Sequence, residues 1–329
     1  MIAFKYERPE TITAALRAYQ SSAAYLAGGT TLIDLMKLDV ERPGTLIDVN
    51  ALRNGQVDIS MQGDALRLGA WTRMAEAEAH PLVLARLPVV AQSLQLAASP
   101  QLRNMATLGG NVLQRTRCSY FRDVAFANCN KRSPGSGCAA LEGVNRKHAV
   151  LGASESCIAT YPGDFAQALI AMDASIDIIG AAGRRSLKFD ALHRAPGDHP
   201  EVETTLQPGE LIEAFRIPTA PWTKRSLYLK IRDRQSYEFA LASAAVALNL
   251  DGDTIKEARI ALGGVATKPW RAREAEALLV GKTAGIEAFS AAAEAAFADA
   301  KARDGNRFKI ELGKRTLVRA LTQATEMRV

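Results

Sequence analysis

The sequence predicts an α+β protein with two domains, and three patterns indicate it. The first 50 residues repeat the order strand, turn, helix and strand, which predicts α/β structure in this part of the chain. Residues 57–72 alternate apolar and polar side chains, which predicts a β-hairpin. Residues 240–261 contain two apolar runs around a turn, and Ala- and Glu-rich helical stretches follow. A length of 329 residues also predicts about two domains, because domains average roughly 150 residues.

The N-terminal part predicts helices and strands in alternation. Thr11–Tyr19 has Leu and Ala at helical spacing behind a threonine that can cap a helix. Ala23–Ala27 predicts a short buried strand that ends at a Gly-Gly turn, and Leu32–Lys37 predicts the helix after it. Thr45–Val49 predicts another strand.

The middle of the chain is less regular. The predicted elements are a hairpin turn at Gly63-Asp64, helical structure over 73–98, a turn-rich stretch over 100–111, little periodicity over 112–160, a helix over Asp164–Met172 and a strand over Ser175–Ile179.

A domain boundary is predicted near residue 220. Pro218, Pro221 and the polar run 223–225 separate domain 1–220 from domain 221–329. The first domain is expected to have subdomains of about 1–55 and 56–220, with a cysteine-rich loop at 114–160. The second is predicted to contain strands over 240–250 and 255–261 around a turn at 251–253, then helices over 271–303 and 316–326.

Composition is that of an ordinary globular protein, with 48% hydrophobic and 23% charged residues. No apolar run reaches the roughly 18 residues that a membrane span needs. Residues 1–7 lack a basic segment followed by an apolar core, so we expect no signal peptide and synthesis in the cytoplasm. The alternative is a periplasmic location, reached by co-export with a signal-bearing partner subunit.

The net charge of +6 is partly local to the cysteine segment. A basic patch usually indicates nucleic acid, but recognisable modules and interleaved aromatics are missing from the sequence, so we expect no nucleic-acid partner. A local anionic group fits better, because a cluster held by four thiolates carries negative charge that buried surroundings must offset. The basic residues in question are Arg115, Arg117, Arg122, Lys131, Arg132, Arg146 and Lys147.

Two Gly-Gly turns are candidates for binding a phosphate group. The first is Ala27-Gly28-Gly29-Thr30-Thr31, and the second is Thr107-Leu108-Gly109-Gly110-Asn111. Glycine lets a phosphate approach the main chain, and N–H groups at a helix start favour anions. Either turn alone is more often a plain strand-to-helix connection. Together they favour a dinucleotide, because such a ligand needs more than one clamp.

All four cysteines of the chain lie between Cys118 and Cys157, the others being Cys129 and Cys138. Disulfides are disfavoured by the missing secretory signal, and structural zinc usually shows closely spaced cysteine pairs. Buried free thiols would have apolar neighbours, whereas this segment is polar. Iron–sulfur ligation accepts irregular spacing, so a metal centre of some kind is predicted, with the other readings left open.

Two further features carry less information. Lys230 in the run Tyr228–Arg234 can project a cation into a flavin or phosphate site, although a solvated basic strand is the commoner case. The histidines form no ligand pair and no hydrolase triad, so we assign no catalytic residue in this chain.

Several motifs in fixed order resemble the FAD-binding medium subunits of molybdenum hydroxylases, the xanthine dehydrogenase and carbon monoxide dehydrogenase group. The resemblance covers residue 4 to about 320. The motifs are Ala27-Gly28-Gly29-Thr30, Arg103-Asn104, Thr107–Asn111, Tyr161-Pro162-Gly163-Asp164, Gly209-Glu210-Leu211-Ile212, Lys230 and Leu262-Gly263-Gly264-Val265.

The segment Gln114–Asp123 departs from the Ser-Pro-x-x-Asp of ordinary members. With its inserted cysteines it resembles the branch that holds a [4Fe–4S] cluster as well as FAD. Within that branch the chain is most similar to bacterial three-subunit aldehyde oxidoreductases of the periplasmic type. The 4-hydroxybenzoyl-CoA reductases share the extra cluster and are the alternative.

The resemblance implies a two-part FAD-binding domain (PCMH-like) followed by a smaller C-terminal domain with an antiparallel sheet and helices. It implies that both glycine turns hold the FAD diphosphate. It also implies that Thr116 and Asp123 contact the flavin ring or the ribityl chain, and that Ile212 and Lys230 line the flavin. The full set of implied FAD contacts is Leu26, Ala27, Gly28, Gly29, Thr30, Thr31, Leu32, Thr107, Gly110, Asn111, Thr116, Asp123, Ile212 and Lys230. It implies that the cluster ligands are Cys118, Cys129, Cys138 and Cys157.

The resemblance also implies a heterotrimer. A large subunit would hold the molybdenum cofactor, where an aldehyde is oxidised, and a small subunit would hold two [2Fe–2S] clusters. This chain would pass their electrons through FAD to an external acceptor. An alternative of a different class is a zinc- or disulfide-stapled nucleotide-binding module without a redox role, whose basic patch would bind a nucleic acid or an acidic partner.

Overall fold

The computed structural model describes residues 1–54 and 57–329. The strands are β1 (Lys5–Glu7), β2 (Ala23–Leu26), β3 (Thr45–Asp48), β4 (Ile59–Gln62), β5 (Ala65–Gly69), β6 (Ser175–Gly180), β7 (Gly183–Lys188), β8 (Leu211–Pro218), β9 (Ser226–Ile231), β10 (Ala242–Asp251), β11 (Thr254–Gly263) and β12 (Trp270–Arg271). The predicted subdomain boundary at residues 55 and 56 lies outside the described residues.

The α-helices are short, except the last. They are α1 (Ile12–Ala18), α2 (Leu32–Lys37), α3 (Met74–Ala79), α4 (Pro81–Arg86), α5 (Pro88–Gln95), α6 (Pro100–Met105), α7 (Leu108–Val112), α8 (Ser119–Arg122), α9 (Phe165–Ala171), α10 (Arg273–Leu279), α11 (Ile286–Ala296) and α12 (Phe308–Thr325).

The N-terminal subdomain is built on a parallel sheet of order β1-β3-β2. Parallel neighbours need crossover connections, and α1 and α2 belong to these connections. Thr11 caps α1 by accepting a hydrogen bond from the Ala14 N–H at 3.1 Å. The central strand β3 is buried along its whole length, whereas β2 is only half-buried.

The second subdomain is an antiparallel sheet of order β4-β5-β8-β6-β7, which shares a hydrophobic core with α3, α4, α5, α7 and α9. Strands β5 and β6 begin with alternating buried and half-buried positions, whereas the central strand β8 is buried along most of its length. Leu66 and Leu68 on β5, and Ile176 and Ile178 on β6, are completely buried in the core that the helices share.

The C-terminal domain is an antiparallel sheet of order β12-β11-β10-β9 with α10, α11 and α12. Strand β10 is buried on both faces. Ala244, Val246 and Leu248 belong to the core under these helices, whereas Ala245 and Ala247 belong to the core of the first domain. One strand therefore joins two hydrophobic cores.

The predicted fold class is confirmed: an α+β chain whose C-terminal part pairs an antiparallel sheet with helices. Some element predictions were wrong. Residues 100–111 were predicted as turns but contain α6 and α7, because Pro100 occupies the first turn of a helix that Ser99 caps. The helical stretch 271–303 is interrupted between α10 and α11, and α12 begins at Phe308 rather than near 316.

None of the described helices is both long enough and apolar enough to cross a membrane.

Candidate functional site

The two Gly-Gly turns meet at a cavity of about 340 Å³. Its walls come from α2, α7 and β8, so it lies between the parallel sheet and the five-stranded sheet. A Cβ added to Gly110 would lie 3.8 Å from the Cβ of Ala27, which shows how closely the turns approach. The predicted flavin-site residues on these walls are Ala27, Gly28, Gly29, Thr30, Thr31, Leu32, Thr107, Gly110 and Ile212.

Strand pairing places the first turn at this cavity. The Val49 N–H donates to the Leu26 carbonyl at 2.9 Å, and the Asn50 side-chain amide donates to the Ala27 carbonyl at 2.8 Å. The chain then reverses through Gly29, whose φ of +71° favours glycine. The end of β2 is thereby held in place while the turn opens towards the cavity.

The first turn offers hydrogen-bond donors to a ligand. Thr30, Thr31 and Leu32 line the cavity where α2 begins. The next N–H group, that of Ile33, already donates to the Gly29 carbonyl at 3.1 Å. Among the described residues, no backbone carbonyl accepts a hydrogen bond from the N–H groups of Thr30, Thr31 or Leu32. Free N–H groups at such a position bind anions, so the turn fits a phosphate group.

The second turn begins helix α7. Thr107 caps this helix, because its Oγ1 accepts a hydrogen bond from the Gly110 N–H at 3.1 Å. Asn111 follows, with its side-chain nitrogen 3.4 Å from the sulfur of Met74. Its Oδ1 is buried and, within the described part of the chain, accepts no hydrogen bond. A bound ligand with a donor group would satisfy this oxygen.

An ion-pair network forms one charged wall of the cavity. Arg115 pairs with Glu41, which also lines the cavity, and with Glu203 at 3.2 Å. Lys131 pairs with the same Glu203 at 2.7 Å. Burial pushes the pKa of Glu203 upward, but Arg115 and Lys131 outweigh it and hold that pKa below its ordinary value. The cavity wall and the cysteine loop thus share one half-buried carboxylate.

Five predicted flavin-site residues do not line this cavity: Leu26, Asn111, Thr116, Asp123 and Lys230. Leu26 ends β2. The Thr116 hydroxyl donates to the Thr160 carbonyl at 2.9 Å and accepts from the Cys118 N–H at 3.2 Å. Asp123 is at the exposed end of α8, where its carboxylate accepts from the Ala125 N–H at 2.9 Å.

Lys230 belongs to a buried ion pair instead of a solvated strand. Its Nζ donates to Asp164 at 2.7 Å and to the Leu96 carbonyl at 3.0 Å, and its side chain is 1% exposed. The Tyr228 hydroxyl also donates to Asp164, at 2.6 Å. The expectation of a solvated basic strand is therefore wrong. The Lys230 ammonium group instead pairs with the Asp164 carboxylate, which belongs to the other domain.

The cysteine segment folds so that its thiols approach one another. Cys129 and Cys138 form an antiparallel bridge closed by a tight loop, where the Asn130 N–H donates to the Gly137 carbonyl at 2.7 Å. Gly137 has a φ of +96°, a conformation that favours glycine. Cys118 lies directly before α8, and Cys157 is in a turn.

The pKa values of the thiols reflect this proximity. Burial raises the pKa of Cys118 to about 12, and the neighbouring Cys157 and Cys129 add to the increase. Burial likewise raises the pKa of Cys157 to about 11, with Cys138 and Cys129 adding and Lys131 opposing. A bound metal centre would hold these cysteines as thiolates, because metal ligation requires deprotonated sulfur.

Two nitrogens approach the sulfurs. The Ala159 N–H donates to the Cys157 sulfur at 3.4 Å, and the His148 Nε2 lies 3.2 Å from the Cys118 sulfur. All four cysteines are free thiols. Within residues 1–54 and 57–329, no three His, Cys, Asp or Glu side chains are arranged as the ligands of a single metal ion.

The basic residues around the cysteines are largely paired, which corrects the expectation that they serve mainly to offset an anionic group. Asp34 forms ion pairs with Arg117 and Arg122. Arg115 pairs with Glu41 and Glu203, and Lys131 also pairs with Glu203. Outside the network, Arg146 pairs with Asp233 and Lys147 with Glu238, while Arg132 donates to main-chain carbonyls at the end of α8. The sequence argument counted positive charges, but the carboxylates that neutralise them are distant in the chain.

Sequence reasoning missed several residues at the cavity. Glu41, Trp71 and Glu210 line it, and Trp71 is fixed by donating its indole N–H to the Val49 carbonyl at 3.0 Å. The only available signal was Glu210, which follows Gly209 in one of the motifs named above. The other two are isolated side chains in segments without a recognisable pattern.

The comparisons with known proteins agree with this geometry. Residues 2–220 match the FAD binding domain in molybdopterin dehydrogenase, and residues 227–324 match the CO dehydrogenase flavoprotein C-terminal domain. The chain is 46% identical over 327 residues to the aldehyde oxidoreductase FAD-binding subunit PaoB of Escherichia coli (strain K12), covering 98% of this chain and 99% of that protein.

More distant relatives extend the similarity. The glyceraldehyde dehydrogenase medium chain of Sulfolobus acidocaldarius is 28% identical over 85% of this chain and 82% of its own length. The carbon monoxide dehydrogenase structure from Hydrogenophaga pseudoflava superposes with a TM-score of 0.76 at 29% identity, covering 99% of both chains. The chain therefore belongs to the family of FAD-binding medium subunits of molybdenum hydroxylases, the xanthine dehydrogenase and carbon monoxide dehydrogenase group.

Proposed function

We propose that this chain is the electron-transferring flavoprotein subunit of a molybdenum-containing aldehyde oxidoreductase, and that its four cysteines hold a [4Fe–4S] cluster. The observation that carries the proposal is the cavity between the two Gly-Gly turns, with unbonded N–H groups on its wall. The 46% identity to an aldehyde oxidoreductase FAD-binding subunit supports the aldehyde as substrate class.

The residues of this chain bind and orient the cofactor. The N–H groups of Thr30, Thr31 and Leu32 would hold the diphosphate, and Thr107, Gly110 and Asn111 would hold its other flank. Ile212 would contact the flavin from β8. FAD, when bound, supplies a centre that takes up two electrons and can release them one at a time. Thr116, Asp123 and Lys230 remain proposed flavin contacts, reached only where the ligand extends beyond this cavity.

The four cysteines support a shared site for their sulfurs. Neighbouring cysteines add to the raised pKa of Cys118 and of Cys157, whose largest cause is burial. The choice of a [4Fe–4S] cluster over a zinc ion rests on the resemblance of this loop to the branch that holds such a cluster.

The partners follow from the same proposal. The aldehyde would be oxidised at the molybdenum cofactor of a separate large subunit, and a small subunit with two [2Fe–2S] clusters would deliver the electrons to this chain. An external acceptor would remove them. The alternative is a 4-hydroxybenzoyl-CoA reductase-like complex, and the aldehyde-related names of two relatives favour the first assignment.

The test is anaerobic addition of an aromatic or aliphatic aldehyde to the complex purified with its neighbouring subunits. We expect the visible flavin band to bleach only when the large subunit is present, and to return when an acceptor dye is added. A flavin that stays oxidised with every aldehyde, but that a strong donor reduces and 4-hydroxybenzoyl-CoA then reoxidises, would favour the alternative. A colourless protein that contains zinc would refute both.

A further inference from the structure

Helix α2 contacts both the cavity and the cysteine segment. Leu32 and Leu35 line the cavity. Leu35 also belongs to a small buried cluster with Phe121 and Cys129, against which Cys118 packs. The helix that begins at the first Gly-Gly turn therefore shares a small buried core with two of the four cysteines.

Asp34 on α2 is the polar part of the same contact. Its carboxylate accepts two hydrogen bonds from Arg122, at 2.8 and 3.2 Å, and one from Arg117 at 3.3 Å. Arg117 directly precedes Cys118, and Arg122 ends the helix that follows it. The hydrogen bond from Arg122 is the largest cause of a lowered pKa at Asp34, so this carboxylate is charged near neutral pH.

Arg117 reaches the turn itself. Its second terminal nitrogen donates to the Thr31 hydroxyl at 3.3 Å, so one guanidinium bridges a cavity residue, Asp34 and the cysteine segment. The residue before Cys118 therefore contacts one of the residues that would hold the diphosphate.

Stability alone does not explain this arrangement. The Asp34 side chain is 40% exposed, and ion pairs of that exposure contribute about 0–1 kcal/mol each. A two-pronged arginine–carboxylate pair fixes relative position more than it adds stability. The pairing of Asp34 with Arg117 and Arg122 therefore fixes the position of α2 relative to the cysteine segment.

We propose that Asp34 is a positioning residue that couples FAD binding to the state of the four cysteines. The FAD affinity of the chain then depends on whether the cysteine segment is ordered by its metal centre. The dependence is reciprocal, so bound FAD slows the loss of that centre. This inference rests on the function proposed above, since it requires that both groups bind.

The parallel link through Arg115 does not replace Asp34. Arg115 pairs with Glu41 and Glu203, and Glu41 lies beyond the end of α2. That network holds the far wall of the cavity, whereas Asp34 is on the helix whose first residues form the turn. Asp34 is the carboxylate on that helix that pairs with the arginines on both sides of Cys118.

A thermodynamic cycle tests the proposal in the full-length chain. FAD affinity is measured by flavin fluorescence for the wild type, Asp34→Asn, Cys129→Ser and the double variant. We expect Cys129→Ser to weaken FAD binding by a factor within the range of about 5–150 that is typical of coupled sites. Asp34→Asn should weaken it as well, and Cys129→Ser should then have little further effect.

Asp39→Asn is the matched control. Asp39 follows α2 and pairs with Arg42, away from the cysteine segment, and its φ of 62° is one that asparagine tolerates. This variant should keep the wild-type FAD affinity and the wild-type response to Cys129→Ser. Equal effects of Asp39→Asn and Asp34→Asn would overturn the assignment to Asp34.

Iron release gives a readout that does not need the cysteine variant to fold. The rate of iron loss to a chelator is measured with and without FAD in the wild type and in Asp34→Asn. We expect FAD to slow the loss severalfold in the wild type and to have no effect in the variant. A wild type that binds FAD and iron independently would overturn this inference alone, whereas one that binds neither would overturn the proposed function too.

Discussion

Gly28 shows how tightly the backbone is packed at the edge of the cavity. A Cβ added there would overlap the Met105 carbonyl and would lie 2.9 Å from the Ala106 Cα. The obstacle is main chain from the helix before the second turn, which cannot move aside like a flexible side chain. The glycine is therefore required by the approach of two backbone segments, and the space in front of it stays open for a ligand.

Gly28→Ala should weaken both folding and FAD retention. The forced backbone shift is expected to cost about 1–3 kcal/mol, as overpacking does elsewhere. Denaturant unfolding measures the stability, and the flavin absorbance of the purified protein measures the occupancy. Gly285→Ala is the control, since a Cβ at Gly285 meets nothing within 4 Å and its φ is extended. The two variants behaving alike would show that the contact with Met105 is not decisive.

Lys230 makes a second residue-scale prediction. Lys230→Met leaves Asp164 as an unpaired buried charge, which should cost about 3–5 kcal/mol of unfolding free energy. Lys256→Met removes a pair with 54% and 72% exposed side chains and should cost less than about 1 kcal/mol. Urea unfolding of both variants checks this. A loss of FAD affinity with unchanged stability would instead identify Lys230 as a flavin contact.

Helix α7 carries the second glycine turn, and His193 holds its far end. The His193 Nε2 donates to the Val112 carbonyl at 2.9 Å, and its ring lies edge-on to Tyr161. Burial lowers the pKa of His193 to about 4. The cavity wall thus depends on a neutral histidine that fits against an aromatic ring.

This burial predicts a pH dependence with a definite sign. An unfolded histidine takes up a proton near pH 6.5, whereas folded His193 does so only near 4. Stability from this group is complete above about pH 6.5 and is lost as the pH falls towards 4, by about 3 kcal/mol in total.

His193→Gln can keep the hydrogen bond to Val112 but cannot titrate. Its unfolding free energy should fall less steeply than that of the wild type between pH 6.5 and 4. His199→Gln, at an exposed side chain, should follow the wild-type curve. Parallel curves for the wild type and His193→Gln would contradict the prediction.

The elements that the sequence predicted well are those with a strong local signal. Helices α2 and α9, the hairpin of β4 and β5, and the pair β10 and β11 each have clear periodicity or a turn. The helical stretch 73–98 was correct in type but is divided at Pro81 and Pro88. Strand β8 escaped prediction, although it is the centre of the second sheet.

The site was predictable only where its residues are contiguous. The two glycine turns carry a local pattern, and both proved to line one cavity. Lys230 could not be placed, because its partner Asp164 is 66 positions away in the chain. The same reason hid Asp34, whose two arginines are more than 80 positions distant.

At the scale of the whole molecule, the two domains are joined by shared cores and by arginines that reach across. Arg271 on β12 pairs with Asp173 at 3.0 Å, pairs with Glu276, and donates to the Ala171 carbonyl at 3.1 Å at the end of α9. Its side chain is 5% exposed. One buried guanidinium therefore holds the C-terminal sheet against a helix of the first domain.

Arg271→Met should destabilise the molecule by about 3–5 kcal/mol, because it leaves the largely buried Glu276 without its cation. We also expect one unfolding transition in the wild type and two in the variant, one for each domain. Calorimetry measures both effects. Arg273→Met, which breaks an ion pair with 57% and 43% exposed side chains, should leave one transition. One unshifted transition in Arg271→Met would show that the shared strand β10 joins the domains without help.

The most direct measurement is the FAD, iron and sulfide content of this chain expressed alone and purified without oxygen. A flavin cavity beside a four-cysteine cluster predicts one FAD with about four iron and four sulfide atoms per chain. Replacing Cys129 with Ser should remove the iron. A protein that contains zinc or no metal, or that carries no flavin with its turns intact, would contradict this prediction.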